Sequence, residues 1–360
     1  MEKIKVLQIV GRMNNGGVEN LIMSYYRHLA DRCEFSFVCF DDSTSIPKEE
    51  IEALGGKIFI VPYLKHLHQF NKALDKILKE NHFDIIHSNI NTLSVFPLRI
   101  AKKNKHPIRI AHSHSVSNKK EWKKHLAKSI LRLFSKTYAN IYFSCSEVAG
   151  RYQFGNKAYN KGQVTIIKNG IELSNFKYDP KVGLEIRKEQ NIPQNATIVG
   201  TVGRFDNAKN QMFMLELAKD NKDVFFFIVG DGELKEKLSE NVKENKLENV
   251  RIINPSRPIK DYYSSFDIFM LPSLYEGLGL TAIEAEANGL YVLLSDNVPE
   301  ETLVSKYGAR LSLDVKANWN QEINTKHERI DNLPALKEAG YDIKEASETL
   351  YNLYLKLLDK

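Results

Sequence analysis

Short β-branched runs alternate with helical stretches along nearly the whole chain, and this alternation constrains the fold more than any other feature. It begins with Lys3 to Val10 (KIKVLQIV), and strand-like runs recur at Phe35–Phe40, Lys57–Val61, Phe83–His87, Ile108–His112, Ile141–Cys145 and Val164–Lys168. Helical patterns such as Gln69–Lys79 and Thr92–Lys103 separate them. Runs that stay apolar on both faces belong to parallel sheets covered by helices. The pattern stops over Lys168–Pro180, where polar turn residues take over. A second series follows at Thr197–Gly203, Val224–Val229, Val250–Ile253, Asp267–Leu271, Tyr291–Ser295 and Ala309–Leu313. The expected fold class is therefore α/β: two doubly wound domains, 1–168 and 169–342, facing a central cleft. At 360 residues the chain has room for both. A last stripe in Ile343 to Leu358 (Ala346, Leu350, Leu353, Leu357, Leu358) predicts a helix of about 343–360 that packs back on the first domain.

Composition narrows the setting. With 42% hydrophobic and 27% charged residues the chain is globular rather than disordered, and its net charge of +6 is too mild to argue for nucleic acid. The charge is unevenly placed: Lys102 to Lys136 holds eleven basic residues and one acidic residue, Glu121. Cys33, Cys39 and Cys145 lie in apolar runs and read as reduced core residues, not ligands or a disulfide framework. No apolar run approaches the ~20 residues that span a bilayer.

Chemistry concentrates between Leu271 and Asp296. Glu276 and Glu284 stand eight positions apart with Gly277, Leu278, Gly279, Leu280 and Thr281 between them. AIEAEAN (282–288) favours a helix, which puts its start near Gly279, Leu280 and Thr281. Unpaired N–H groups and a positive dipole end there suit a nucleotide diphosphate. One carboxylate could then reach a sugar and the other a ribose; the rival reading is an acidic helix start after a buried strand. Upstream, Gly203-Arg204 ends a strand and Lys209 follows near a helix start, a pair suited to clamping a diphosphate leaving group. Gly230-Asp231-Gly232 makes a second glycine turn that either receives a base or ribose or simply turns the chain.

In the first domain, Gly16-Gly17 lies between the first strand and a helix. It lacks the G-x-G-x-x-G spacing, which argues against a nicotinamide cofactor. His112 and His114 arrive at a strand end, where either could hydrogen-bond a sugar or an acceptor. H-x-H without further ligands is weak evidence for zinc, and no metal or cofactor is expected. The basic stretch predicts a helix from Lys119 to about Ala139. Lys119, Lys120, Trp122, Lys123, Lys124, Lys128 and Arg132 suit an anionic membrane surface. The rival is an ordinary helix whose apolar stripe (Trp122, Leu126, Ile130, Leu133, Phe134) packs on the sheet.

With these residues placed, the chain resembles, end to end, the GT-B glycosyltransferases of family 4, the retaining group that includes bacterial exopolysaccharide and capsule enzymes. The resemblance rests on Gly16-Gly17, Asn169-Gly170-Ile171-Glu172, Gly203-Arg204…Lys209, Gly230-Asp231-Gly232 and Glu276…Glu284 in P-S-x-x-E-G-L-G-L. It implies two Rossmann-like domains, the first binding the acceptor and the second the nucleotide sugar, with domain closure excluding water. It implies that Arg204 and Lys209 contact the donor diphosphate, Glu276 the donor sugar and Glu284 the ribose. Gly279, Leu280 and Thr281 would offer N–H groups, and His114 would lie near the transferred sugar. The implied reaction is metal-independent transfer with retention from a nucleotide sugar, UDP being the expected nucleotide, to a lipid-linked saccharide. The implied setting is cytoplasmic, peripheral on the inner face of the cell membrane. A UDP-sugar epimerase of the same fold and a catalytically silent nucleotide-sugar binder are the rivals. Tyr291, where relatives carry proline, and Asp296-Asn297-Val298, where they carry a glycine-rich turn, depart from the pattern.

Overall fold

The structure, a computed structural model, describes residues 2–14, 16–115 and 122–359, with the backbone alone described over 122–128. The chain divides into two compact units, residues 1–171 with 342–360 and residues 172–341. Unit 1 contains the strands β1 (Ile4–Gly11), β2 (Cys33–Phe40), β3 (Lys57–Val61), β4 (Ile85–Ser88), β5 (Ile108–Ser113), β6 (Ile141–Ser144) and β7 (Val164–Ile166). Unit 2 contains β8 (Ile198–Val202), β9 (Phe225–Val229), β10 (Val250–Ile253), β11 (Ile268–Leu271), β12 (Tyr291–Ser295) and β13 (Gly308–Leu311). The helices that bear on the sites are α1 (Gly17–Leu29), α2 (Trp122–Tyr138), α3 (Gln211–Asp220), α4 (Leu280–Ala287) and α5 (Ile343–Leu358).

Among the described residues, unit 1 forms a seven-stranded sheet of order β3-β2-β1-β4-β5-β6-β7 and unit 2 a six-stranded sheet of order β10-β9-β8-β11-β12-β13. The pairings are parallel, as the continuous apolar runs require. These are two Rossmann-like sheets, each reversing its strand order once, between β1 and β4 and between β8 and β11.

Side chains alternate across each strand, so each sheet supports two cores. In unit 1 one face carries Ile4, Val6, Ile85, Ile108 and Ile110 beneath α1 and α5. The other carries Leu7, Ile9, Ile86 and Ala111 against Leu74 and Leu98. Helix α5 begins where Asp342 accepts from the Lys344 N–H at 2.9 Å, an N-cap. Gly170 lies so close to it that a Cβ would meet the Ala346 Cβ at 2.7 Å, so only glycine permits this approach. The face that α5 buries is Ile343, Ala346, Leu350 and Tyr354, while Leu358, expected on that stripe, is 39% exposed. Cys33, Cys39 and Cys145 are free and buried.

Candidate functional site

In an open parallel sheet, ligands bind beyond the carboxyl ends of the strands where the order reverses. In unit 2 that point lies between β8 and β11. Gly203 leaves β8 and Gly230 leaves β9 with φ of +147°, and a Cβ on Gly230 would stand 2.0 Å from the Gly203 carbonyl oxygen. No side chain fits there. Gly232 likewise lies against the backbone of Phe205, whose N–H donates to the Asp231 carbonyl at 2.8 Å. The two loops are thus zipped together at the sheet edge.

The next turn sets the charges. Asp206 Oδ1 accepts from the N–H groups of Ala208 (2.9 Å) and Lys209 (3.0 Å), placing Lys209 just before α3. Lys209 Nζ then donates to Glu276 Oε1 at 2.6 Å, and Ser273 Oγ donates to the same oxygen at 2.8 Å. The side chains of this pair are 21% and 12% exposed, so the ions are mostly removed from water while staying reachable. Arg204 is exposed, and among the described residues its guanidinium makes no hydrogen bond or ion pair. Its carbonyl is held by Gln211 Nε2 at 2.8 Å.

Gly277 and Leu278 are buried and lead to Gly279, which caps α4 at φ +91°. The Thr302 hydroxyl donates to the Leu278 carbonyl and fixes this entry. Helix α4 starts at Leu280 and Thr281, so its first N–H groups lie outside the helical ladder. Glu284 follows one turn later, with the Tyr263 hydroxyl donating to its Oε2. Part of Glu284 touches solvent, yet its carboxyl lies deep among protein atoms. Burial raises it to about 7, against the lowering effects of the Tyr263 bond and of Lys209. The structure thus brings Lys209, Glu276 and the α4 start together around one strand end.

In unit 1 the reversal point holds neutral groups. Gln8 and His87 pair across β1 and β4, and His112 lies two residues beyond Ile110, the partner of His87 on β5, on the face shared with α1 and α5. The Tyr354 hydroxyl lies 2.7 Å from His87 Nδ1, and His87 Nε2 lies 3.0 Å from His112 Nδ1. His114 Nε2 lies 3.1 Å from Asn89 Oδ1, and Asn89 Nδ2 donates to Gln8 Oε1 at 2.9 Å. Gln8 Nε2 returns to the Tyr354 oxygen at 3.3 Å. The His112 and His114 rings lie 3.9 Å apart between centroids. Burial pushes His87 and His114 down to about 3 and His112 well below its ordinary value, so all three are neutral at pH 7. Gly16 caps α1 and Gly17 opens it, and the anion at that helix start is the chain's own Glu19, which accepts from the N–H groups of Gly16 and Asn14. Among the described residues, no group of three or more His, Cys, Asp or Glu side chains is placed to hold a metal ion.

In the basic helix, Arg132 donates to the Tyr152 carbonyl at 3.1 Å and lies over the Tyr152 ring. Its face of α2 turns toward the protein, which leaves Ile130, Leu133 and Phe134 outward at 51%, 72% and 47% exposure. Lys119 and Lys120 lie outside the described residues, as do the side chains of Trp122, Lys123, Lys124 and Lys128. No described helix is long and apolar enough to cross a membrane.

Sequence reasoning did not single out Ser273, Tyr263, Tyr354, Gln8, His87 or Asn89. A signal existed for two of them: His87 and Asn89 end the run FDIIHSN as His112 and His114 end theirs.

Comparison with known proteins agrees with this arrangement. Residues 15–175 match the family described as Glycosyltransferase Family 4, and residues 184–331 match Glycosyl transferases group 1. The chain is 30% identical to EpsF of Bacillus subtilis (strain 168), named as a glycosyltransferase, over 97% of this chain and 96% of that protein. It is 26% identical to the capsular polysaccharide biosynthesis glycosyltransferase CapH of Staphylococcus aureus, covering 98% and 99%. Among solved structures, Alr3699/HepE of Anabaena in complex with UDP and glucose superposes with a TM-score of 0.78 at 17% identity, covering 98% and 100%. The 30% identity to a glycosyltransferase along nearly the whole of both chains, with the two family matches over residues 15–175 and 184–331, places the chain in the family 4 glycosyltransferases.

Proposed function

We propose that unit 2 binds a UDP-sugar and that unit 1 serves an acceptor saccharide carried on a lipid. The observation that carries this reading is the Lys209–Glu276 ion pair beside the glycine-capped start of α4. Lys209 and Arg204 would take the diphosphate, together with the N–H groups of Gly279, Leu280 and Thr281. Glu276 would accept from a sugar hydroxyl once Lys209 turns to phosphate, and Glu284 from the ribose. Gly230 and Gly232 let the two loops pack closely at that strand end, which fixes the backbone on which Lys209 and Arg204 stand. In the reaction the bond between the anomeric carbon and the β-phosphate oxygen breaks. A bond to the acceptor oxygen forms on the same face, and the acceptor proton passes to the leaving phosphate. The cations stabilise the charge that develops on the diphosphate without a metal ion. His114 and His112 serve the sugar or acceptor as neutral hydrogen-bonding groups.

The lipid carrier fits the outward apolar residues Ile130, Leu133 and Phe134 on a helix rich in lysine, which would lie on an anionic membrane face. The test is transfer from labelled UDP-sugars to lipid-linked saccharide in the presence of a chelator, with the anomeric configuration of the product read by NMR. An α-linked product from an α-linked donor is expected; an inverted product or dependence on metal would overturn this mechanism. Interconversion of UDP-sugars without transfer would favour an epimerase. Leu133→Ser is expected to reduce binding to vesicles containing anionic lipid, and unchanged binding would detach the membrane from the reading.

A further inference from the structure

The hydrogen bonds around the three buried histidines of unit 1 form one connected path, and its polarity follows from counting donors. Tyr354 has one proton to give. Asn89 Nδ2 faces Gln8 Oε1 at 2.9 Å and the His87 carbonyl at 3.5 Å, so it is the donor end of that amide. Gln8 must then turn Nε2 to the Tyr354 oxygen, as its 3.3 Å contact has it. The Tyr354 proton is left with His87 Nδ1 as its acceptor among the described residues. His87, neutral, therefore carries its proton on Nε2 and gives it to His112 Nδ1. His112 carries its own on Nε2. On the other branch, Asn89 Oδ1 accepts, so His114 also carries its proton on Nε2.

We propose that Tyr354, Gln8, Asn89 and His87 are positioning residues that hold His112 and His114 in the Nε2–H form. Two ring atoms are then left over. His112 Nε2 and His114 Nδ1 are buried and without a partner among the described residues, and both rings line a cavity of about 10 Å³ shared with Gln8, His87 and Asn89. One is an N–H donor and the other a bare acceptor, and neither is charged. A hydroxyl group satisfies such a pair, whereas a phosphate or carboxylate, having only acceptors, does not. The last helix of the chain thereby reaches the end of β5 through a phenol and an imidazole. This inference rests on the reading that His112 and His114 serve the transfer reaction.

The test is ¹⁵N NMR of the histidine rings in the full chain at pH 7, for the wild type and Tyr354→Phe, alongside kcat and KM for transfer. The wild type is expected to show His87, His112 and His114 protonated on Nε2. Tyr354→Phe removes the donor to His87 Nδ1, so His87 and His112 should become tautomeric mixtures. In that variant kcat should fall by about tenfold with donor KM little changed. If Tyr354→Phe does not fold, Gln8→Met breaks the same path from the other side and is read in the same way. A wild type protonated on Nδ1 at His112, or rings unmoved by either variant, overturns the proposal. Rings that shift while kcat stays constant support the positioning network and remove the histidines from the proposed transfer reaction.

Discussion

The two sheets of this protein are built on the same plan and end in opposite chemistry. Each is parallel and reverses its strand order once, and each gathers polar side chains at the carboxyl ends of the strands beside that reversal. In unit 2 these are ionisable: Lys209 and Glu276 in contact, exposed Arg204, and Glu284, whose carboxyl burial raises to about 7. In unit 1 they are neutral: three imidazoles, two amides and a phenol joined by hydrogen bonds. The difference follows from burial. Lys209 and Glu276 keep contact with water and can remain charged, whereas His112 and His87 are 3% exposed and would lose their hydration if protonated. A parallel sheet thus offers the same position twice. The depth of the loop decides whether charge or neutral hydrogen bonding occupies it.

The sharpest way to break this comparison is to remove a charge from unit 2. Glu276→Ala should lower the transfer rate by about 10²–10³, the loss typical of one preorganised polar contact at a reacting group. Unchanged turnover would remove Glu276 from the reacting sugar, and no transfer in the wild type would return the silent-binder reading. An intermediate effect is expected in unit 1, where Leu350 is 3% exposed beneath the sheet. Leu350→Ala should cost about 2–5 kcal/mol in chemical unfolding, while UDP affinity at 25 °C stays as in the wild type if the two ends work separately.

A further effect is one of pH, and its sign differs between the units. The depressed histidines bind fewer protons in the folded state than in the unfolded chain between about 3 and 6.5, so unit 1 should weaken as pH falls through that window. Glu284 is raised from 4.5 to about 7, so its contribution is fully present below 4.5 and is lost as pH rises through 7. Each group contributes at most about 1.4 kcal/mol per pH unit. Hydrogen-exchange protection, corrected for intrinsic rates, should therefore rise with pH in unit 1 and fall in unit 2. Glu284→Gln should flatten the second trend. Parallel trends in both units would contradict the assignment.

Much of this was legible in the sequence, for reasons that differ by residue. Strands buried on both faces write continuous apolar runs, so their positions follow within a residue or two, as Lys57–Val61 and Tyr291–Ser295 do. Glu276, Gly279 and Glu284 stand within nine positions of one another, and local turn and helix chemistry reveals them. Tyr354 and His87 bond across 267 positions, and no local periodicity announces such a pair. The apolar stripe of α2 was visible, but the outward direction of Ile130, Leu133 and Phe134 was not, because it goes with Arg132 finding Tyr152. The Glu19 carboxylate at the start of α1 lies within five positions of Asn14. It was readable as a capping residue and shows that a glycine loop before a helix can be satisfied from within.

The most direct measurement is calorimetric titration of UDP into the wild-type chain, Lys209→Ala and His114→Ala. UDP should bind the wild type and His114→Ala alike and Lys209→Ala at least about tenfold more weakly, a loss of ~1.4 kcal/mol. Binding that survives Lys209→Ala but is lost in His114→Ala would place the nucleotide at the neutral end and contradict the division of labour between the two sheets.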